Sequence, residues 1–209
     1  MLKNYFQNTR KPEGFGGKTM VMMMNKGHAR LAEWGFKHVD PSDTDAVLDI
    51  GCGGGANISV LLSMCPNGCV TGIDYSPVSV AASKKRNRNE VDSGRCTVVL
   101  GSVVDLPFEG QSFDLVTAFE TIYFWPEIGS SFHQVFNVLK PDGTFMICNE
   151  LSDAADERWT KIIPGMSVYG KHELVALLRE QGFTNIKTDT VDKKSWLCIT
   201  AQKPGSDRS

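Results

Sequence analysis

The sequence predicts an α/β fold on a mostly parallel sheet, and three observations lead there. After Asp45, short apolar runs alternate with helical segments, the pattern of parallel strands joined by helical crossovers and covered on both faces. The last two strand-like runs are separated only by Asp192-Lys193-Lys194. Three residues are too few for a crossover, so these two strands form an antiparallel hairpin. A cluster of glycines follows the first apolar run, where a strand must turn sharply into a helix.

Taken in order, Ala46-Val47-Leu48-Asp49-Ile50 is the first strand, and a helix is predicted over 57–65. The second strand is 69–74. Ser76 is a fitting N-cap and Pro77 a fitting first helical residue for a helix running to about 87. Strand three is 96–100 and strand four 112–119. A helix over 127–139 is closed by Lys140-Pro141-Asp142-Gly143, and strand five covers 144–149. A helix over 171–181 stops at Gly182, a suitable residue just past a helix end. Strands over 184–191 and 195–202 complete the sheet.

The polar, turn-rich segment Asp40-Pro41-Ser42-Asp43-Thr44-Asp45 sets off an N-terminal piece that reads as helical over 21–39. The expected organisation is an N-terminal helical lid over 1–40, the main domain over 41–203 and a frayed tail over 204–209. In the N-terminal piece Met20, Met24, His28 and Leu31 share one helical face, with Met23, Gly27, Arg30 and Trp34 in a neighbouring row.

Bulk properties narrow the function. At 209 residues the chain is within the roughly 250 that one core supports. With 41% apolar and 22% charged residues, it is globular rather than disordered. A net charge of −2 leaves no basic surface to replace phosphate counterions, so no nucleic-acid partner is expected. No apolar run approaches the roughly 18 residues of a membrane span, and Met1-Leu2-Lys3-Asn4-Tyr5-Phe6 has no apolar signal core, so a cytoplasmic location is expected. Cys52, Cys65, Cys69, Cys96, Cys148 and Cys198 are scattered and lack paired CxxC spacing. They read as reduced thiols, and no metal site is expected.

The chemistry concentrates in Asp49-Ile50-Gly51-Cys52-Gly53-Gly54-Gly55-Ala56. Glycines let the backbone approach a ligand, and the helix that follows offers free N–H groups. The loop is ambiguous alone, because it also satisfies the dinucleotide pattern GxGxxG/A. Asp74, ending strand two, suits the two hydroxyls of a ribose in either case. Asp49 discriminates. A carboxylate beside the loop repels a pyrophosphate and attracts a ligand with an ammonium or sulfonium group. The alternative is that Asp49 caps loop N–H groups.

Val47-Leu48-Asp49-Ile50-Gly51-Cys52-Gly53-Gly54-Gly55 resembles the first motif of class I S-adenosylmethionine-dependent methyltransferases. Gly101-Ser102-Val103-Val104-Asp105-Leu106-Pro107-Phe108 with Ser112-Phe113-Asp114-Leu115-Val116, and then Leu139-Lys140-Pro141-Asp142-Gly143-Thr144, resemble later segments of the same family in the same order. The nearest likeness is to the type 11, ubiquinone/menaquinone-biosynthesis-like branch, over about 45–203. The resemblance implies a Rossmann-like, doubly wound, seven-stranded sheet of order 3-2-1-4-5-7-6 with one antiparallel strand. It implies S-adenosylmethionine as cofactor and S-adenosylhomocysteine as product. Cofactor contacts would come from Asp49, Gly51, Cys52, Gly53, Gly55, Asp74, Tyr75, Ser102, Val103, Val104 and Glu120. Ser102 stands where the branch often has an aspartate receiving the adenine amine; Asp105 is the candidate substitute.

For the acceptor, Glu120-Thr121-Ile122-Tyr123-Phe124-Trp125-Pro126 follows strand four at the carboxyl end of the sheet, where ligands of such folds bind. It lacks the Asn/Asp-Pro-Pro-aromatic signature of amino-methylating nucleic-acid enzymes, which leaves a small-molecule acceptor. Tyr123 and Trp125, with Met20 and Met24 from the N-terminal piece and Tyr169 before the last helix, are the candidate acceptor pocket; core packing is the alternative for each. His28 is the candidate general base, needed only if the acceptor must lose a proton, while His133 reads as a packed or outward residue. Methyl transfer from a sulfonium is an in-line displacement in which alignment supplies roughly 7–11 kcal/mol. A monomer or homodimer is expected. The rival readings are an NAD-type oxidoreductase and a cofactor-binding homologue without transferase activity.

Overall fold

The computed structural model describes residues 28–153, 160–163 and 165–205. The first described helix, α1 (Ala29–Gly35), continues into a 3-10 turn, Phe36–His38, and the chain becomes extended at Val39. The main body runs β1 (Ala46–Ile50), α2 (Ala56–Met64), β2 (Cys69–Asp74), α3 (Pro77–Arg86), α4 (Arg88–Asp92), β3 (Cys96–Leu100) and β4 (Phe113–Phe119). It continues through a 3-10 turn at Ile122–Phe124 to α5 (Ile128–Val138), β5 (Leu139–Asn149), α6 (Lys171–Glu180), β6 (Thr184–Val191) and β7 (Trp196–Gln202). Elements predicted from residue pattern alone lie within a residue or so of these bounds, apart from the start of β5 and the N-terminal piece. α3 shows why its start was legible. The Ser76 hydroxyl accepts from the Ser79 N–H, Pro77 stands at the first helical position, and Lys84, Lys85 and Arg86 face the negative end of the helix dipole.

The sheet order is β3-β2-β1-β4-β5-β7-β6. β1 pairs in parallel with β2 and β4, β2 with β3, and β4 with β5; β7 is antiparallel to both β5 and β6. The one reversed strand is therefore β7. β5 starts earlier than the pattern implied. Leu139 already pairs with Phe113, and the ladder then slips so that Leu115 faces Thr144. Asp142 sits in the bulge at φ 64°. The prolyl nitrogen at 141 has no hydrogen to donate, and the Asp142 N–H turns outward to Lys203 O. A Pro-Asp-Gly sequence that reads as a turn is here a bulge within a strand.

Alternation along each strand divides the core into two clusters, one per sheet face. On β5, Phe145 and Ile147 join Phe132 of α5 and Leu174 of α6, while Met146 and Cys148 join Leu31 of α1 and Ile58 and Leu61 of α2. α1 approaches this second face closely through Gly35. A Cβ there would stand 2.7 Å from Cys148 Sγ and 2.9 Å from the Phe119 ring. The part of the N-terminal piece before residue 28, with Met20 and Met24, lies outside the described residues. Among the described residues no helix is long and apolar enough to cross a membrane.

Gly35→Val places two methyl groups in that contact and is expected to lower unfolding free energy by about 1–3 kcal/mol, measured as a fall in the urea midpoint at unchanged slope.

Candidate active site

The site begins where the sheet changes direction. β1 is followed by crossovers toward β2 on one side, while its other neighbour, β4, leads away on the opposite side, so the strand ends of β1 and β4 open a crevice between the helix layers. The glycine loop lies over it. The Gly51 and Cys52 N–H groups both donate to Ile73 O at the end of β2, at 2.8 and 3.2 Å, and Gly55 N–H donates to Cys52 O at 2.9 Å. Gly51 has φ +75°, and a Cβ there would lie 2.2 Å from Thr121 Oγ1; both the turn and the close passage of the β4 loop require glycine. α2 then starts at Gly55 without a side-chain cap, so the first N–H groups of this nine-residue helix point toward the cleft unclaimed by a capping side chain.

Asp74 ties the loop down. Its Oδ2 accepts from Gly53 N–H at 2.9 Å and its Oδ1 from Ser76 N–H at 2.8 Å. Burial raises its pKa, with the hydrogen bonds from Ser76 and Gly53 opposing. Asp49 is more deeply placed. It is 1% exposed, its Oδ1 accepts from the Thr117 hydroxyl at 2.8 Å, and its Oδ2 is buried without a hydrogen-bond partner. Burial pushes its carboxyl up to about 7; the bond from Thr117 works against the rise and the charge of Asp74 adds to it. Asp49 therefore stands behind the glycine loop rather than on the cavity surface.

In front of the loop is a cavity of about 650 Å³, within the roughly 300–1,000 Å³ of cofactor and small-molecule sites. Of the residues singled out from the sequence, His28, Gly51, Cys52, Gly53, Asp74, Tyr75, Ser102, Val103, Glu120 and Trp125 line its described wall. Others do not. Gly55 turns its carbonyl to the Asn87 amide and the Ser59 hydroxyl. Val104 is 49% exposed and off the wall, as is the exposed Asp105, whose N–H bridges back to Ser102 O at 3.3 Å. Tyr169 packs against the α5–α6 face of the core. Tyr123 is 3% exposed, and its hydroxyl acts as a clamp, donating to Glu120 Oε1 at 2.9 Å and accepting from Leu151 N–H at 2.8 Å. His133 lies within α5, away from the wall.

The wall also contains residues that the sequence did not single out. Phe36 and Phe119 contribute apolar faces beside Phe124 and Trp125, and the Thr121 hydroxyl holds the Trp125 indole N–H at 3.2 Å. Glu150, one residue past β5, is a further omission. Its backbone N–H makes a short hydrogen bond to Glu120 Oε1, and its carboxylate Oε2 is 4.0 Å from His28 Nε2. The same nitrogen is 3.9 Å from Glu120 Oε2. Burial pushes the Glu120 carboxyl up to about 8, opposed by the Glu150 N–H and reinforced by the Glu150 charge. Burial lowers the His28 pKa, and the Glu150 charge pulls it partly back. Its position just past a strand's carboxyl end is the signal that could have identified Glu150.

Residues 48–147 match the family model described as a methyltransferase domain. The chain belongs to the class I S-adenosylmethionine-dependent methyltransferases, type 11 branch. The chain is 28% identical over 165 residues to erythromycin 3''-O-methyltransferase of Saccharopolyspora erythraea, covering 72% of this chain and 54% of that protein. It is 28% identical over 137 residues to the sterol 4-C-methyltransferase strm-1 of Caenorhabditis elegans, covering 65% of this chain and 39% of that one. The chain thus spans about half the length, or less, of these two curated relatives. Its fold is similar to the crystal structure of a SAM dependent methyltransferase from Aquifex aeolicus, with a TM-score of 0.72 at 18% identity, over 88% of this chain and 97% of that one. The sheet is Rossmann-like, and the family match replaces the oxidoreductase alternative.

The raised pKa of Asp49 has a consequence for the ligand-free protein. Folding favours the protonated carboxyl, so its contribution to stability is complete below about pH 4 and is lost as pH rises through about 7. Between pH 4 and pH 9 the loss is on the order of 4 kcal/mol. Glu120, pushed up to about 8, adds a fall of its own over the same range, so Asp49→Asn is expected to lessen the measured pH dependence by about 4 kcal/mol without abolishing it, checked by urea unfolding across that pH range.

Proposed function

We propose that this protein binds S-adenosylmethionine in the 650 Å³ cavity and transfers its methyl group to a small-molecule acceptor, leaving S-adenosylhomocysteine. The observation that carries this reading is a pair of buried carboxylates bracketing a glycine turn, in a cavity whose described wall has no Lys or Arg. Such a site repels phosphates and favours a ligand that is itself cationic.

Each oxygen of Asp74 receives one protein N–H, and an ionised carboxylate has lone pairs left for the two hydroxyls of a ribose. Tyr75 lies alongside the adenine, with Ser102 and Val103 at its edge. Gly51, Cys52, Gly53 and the first turn of α2 run along the methionine part. Asp49 acts through the loop. Its unpartnered Oδ2 gives the ammonium end of the cofactor, directly or through a water, a buried negative charge to approach. Gly55 serves the turn rather than the ligand.

The acceptor lies beyond the sulfonium, against Phe36, Phe119, Phe124 and Trp125 and under α1. Aromatic faces suit an acceptor with a large apolar body, in keeping with the sterol and macrolide named for the two relatives. Transfer needs the acceptor atom aligned behind the methyl carbon with water excluded. Where the acceptor must lose a proton, His28 stands at that end of the cavity, with Glu120 and Glu150 about 4 Å from it. The six unpaired cysteines fit a cytoplasmic setting.

Titration calorimetry with S-adenosylhomocysteine tests the reading. Asp74→Ala and Asp49→Ala are each expected to raise Kd at least about tenfold, a loss of about 1.4 kcal/mol or more, with circular dichroism unchanged. Unaltered affinity in both variants would refute the site assignment.

A further inference from the structure

His28, Glu120 and Glu150 converge without bonding to one another. The two nitrogen-to-oxygen separations of 3.9 and 4.0 Å are too long for hydrogen bonds, and the three ligand atoms lie within 4.8 Å of each other. An ion in the plane of the three atoms would stand at most about 2.5 Å from each of them, a few tenths of an ångström beyond the roughly 2.0–2.2 Å of zinc bonds, a gap that small side-chain rotations close. An ammonium group, making three hydrogen bonds of about 2.8 Å, needs its acceptors spread wider than the two measured sides.

The surroundings favour the ion as well. Glu120 Oε1 is held by the Tyr123 hydroxyl and the Glu150 N–H, which leaves Oε2 turned to His28. A carboxylate fixed through one oxygen and offered through the other is how outer partners orient metal ligands. Two carboxyl groups, those of Glu120 and Glu150, face the His28 imidazole beside a cavity whose described wall supplies no Lys or Arg to offset them once ionised. One imidazole nitrogen with two carboxylate oxygens suits first-row ions such as Mn²⁺ or Zn²⁺ better than Mg²⁺ or Ca²⁺, which take oxygen alone.

We propose that His28, Glu120 and Glu150 form the protein side of a divalent transition-metal site at the acceptor end of the cavity. The acceptor class that follows carries a hydroxyl or enol. Its oxygen binds the ion and loses its proton to water. The oxygen's electron pair then forms the bond to the methyl carbon, and the carbon–sulfur pair returns to sulfur, giving a neutral thioether. The role in catalysis rests on the transferase reading; the binding site does not.

The test is calorimetry on chelator-treated protein titrated separately with Mn²⁺ and Zn²⁺, with Mn²⁺ binding followed in parallel by electron paramagnetic resonance. We expect one saturable Mn²⁺ site per chain, weakened at least about tenfold by His28→Ala and by Glu150→Gln. Both side chains are one-third exposed, so these variants keep the fold. Absence of saturable binding by either ion at millimolar concentration overturns the proposal, as does ion binding that survives both substitutions. Intact S-adenosylhomocysteine binding alongside absent ion binding sinks the metal site alone, whereas lost S-adenosylhomocysteine binding in the unaltered protein sinks the transferase reading.

Discussion

The molecule depends on the reversal of strand order beside β1. Because β2 lies on one side of it and β4 on the other, the connections leaving the strand tips diverge and cannot cover the gap between them. A helix or loop that filled this crevice would need apolar partners there. Instead the chain crosses it with glycines, held by the paired N–H groups of Gly51 and Cys52 on Ile73 O and by Gly53 on Asp74. The loop is thus fixed by hydrogen bonds at its base while its outer surface stays free for a ligand. Thr121, which would collide with any side chain at position 51, extends the same constraint to the β4 loop and, through its bond to Trp125, to the apolar end of the cavity.

Burial then determines what kind of ligand is welcome. Three carboxyl groups, those of Asp49, Asp74 and Glu120, have their pKa values raised by loss of water. They are not matched by Lys or Arg in the described wall. A site intended only to hold the fold together would pair such groups or replace them with apolar ones, since unpaired buried charge is costly. The strain is relieved when a positive ligand arrives, so stability forgone in the empty protein reappears as affinity. This is the same exchange that leaves Asp49 Oδ2 without a partner.

Much of the fold was legible because it rests on local rules. Apolar runs of five to seven residues such as Cys96–Leu100 and Phe113–Phe119, the Ser76-Pro77 helix start and the three-residue gap before β7 each admit one structural answer. What was missed depends on neighbours distant in sequence. The Pro-Asp-Gly segment became a bulge because Phe113 captured Leu139. Glycine at position 35 has no sequence signature; its reason is the proximity of Cys148 and Phe119. In the site, residues adjoining the glycine turn were readable from spacing. Phe36, on the wall by virtue of α1 packing on β5, and the approach of Glu150 to His28 were not. Tyr123 shows the limit of residue type as a guide. An aromatic beside a cleft suggested a surface for ligand, but its hydroxyl found two partners below and turned the ring into support for Glu120.

That support bears on how the two ends of the cavity cooperate. The glycine turn and Asp74 form one end of the cavity, at the tips of β1 and β2. The Glu120 carboxylate, fixed by Tyr123 from the β4 loop and by Glu150 past β5, defines the other. Both sets ride on strands of one hydrogen-bonded sheet, so their separation changes little with motion in the loops. An in-line displacement demands that constancy between donor and acceptor, since small errors in alignment cost large factors in rate. α1 closes the arrangement by packing on β5 through Gly35 and Leu31, which carries His28 to the same strand ends. A rigid sheet therefore fixes the separation between the two ends of the cavity, and α1 bounds the second of them.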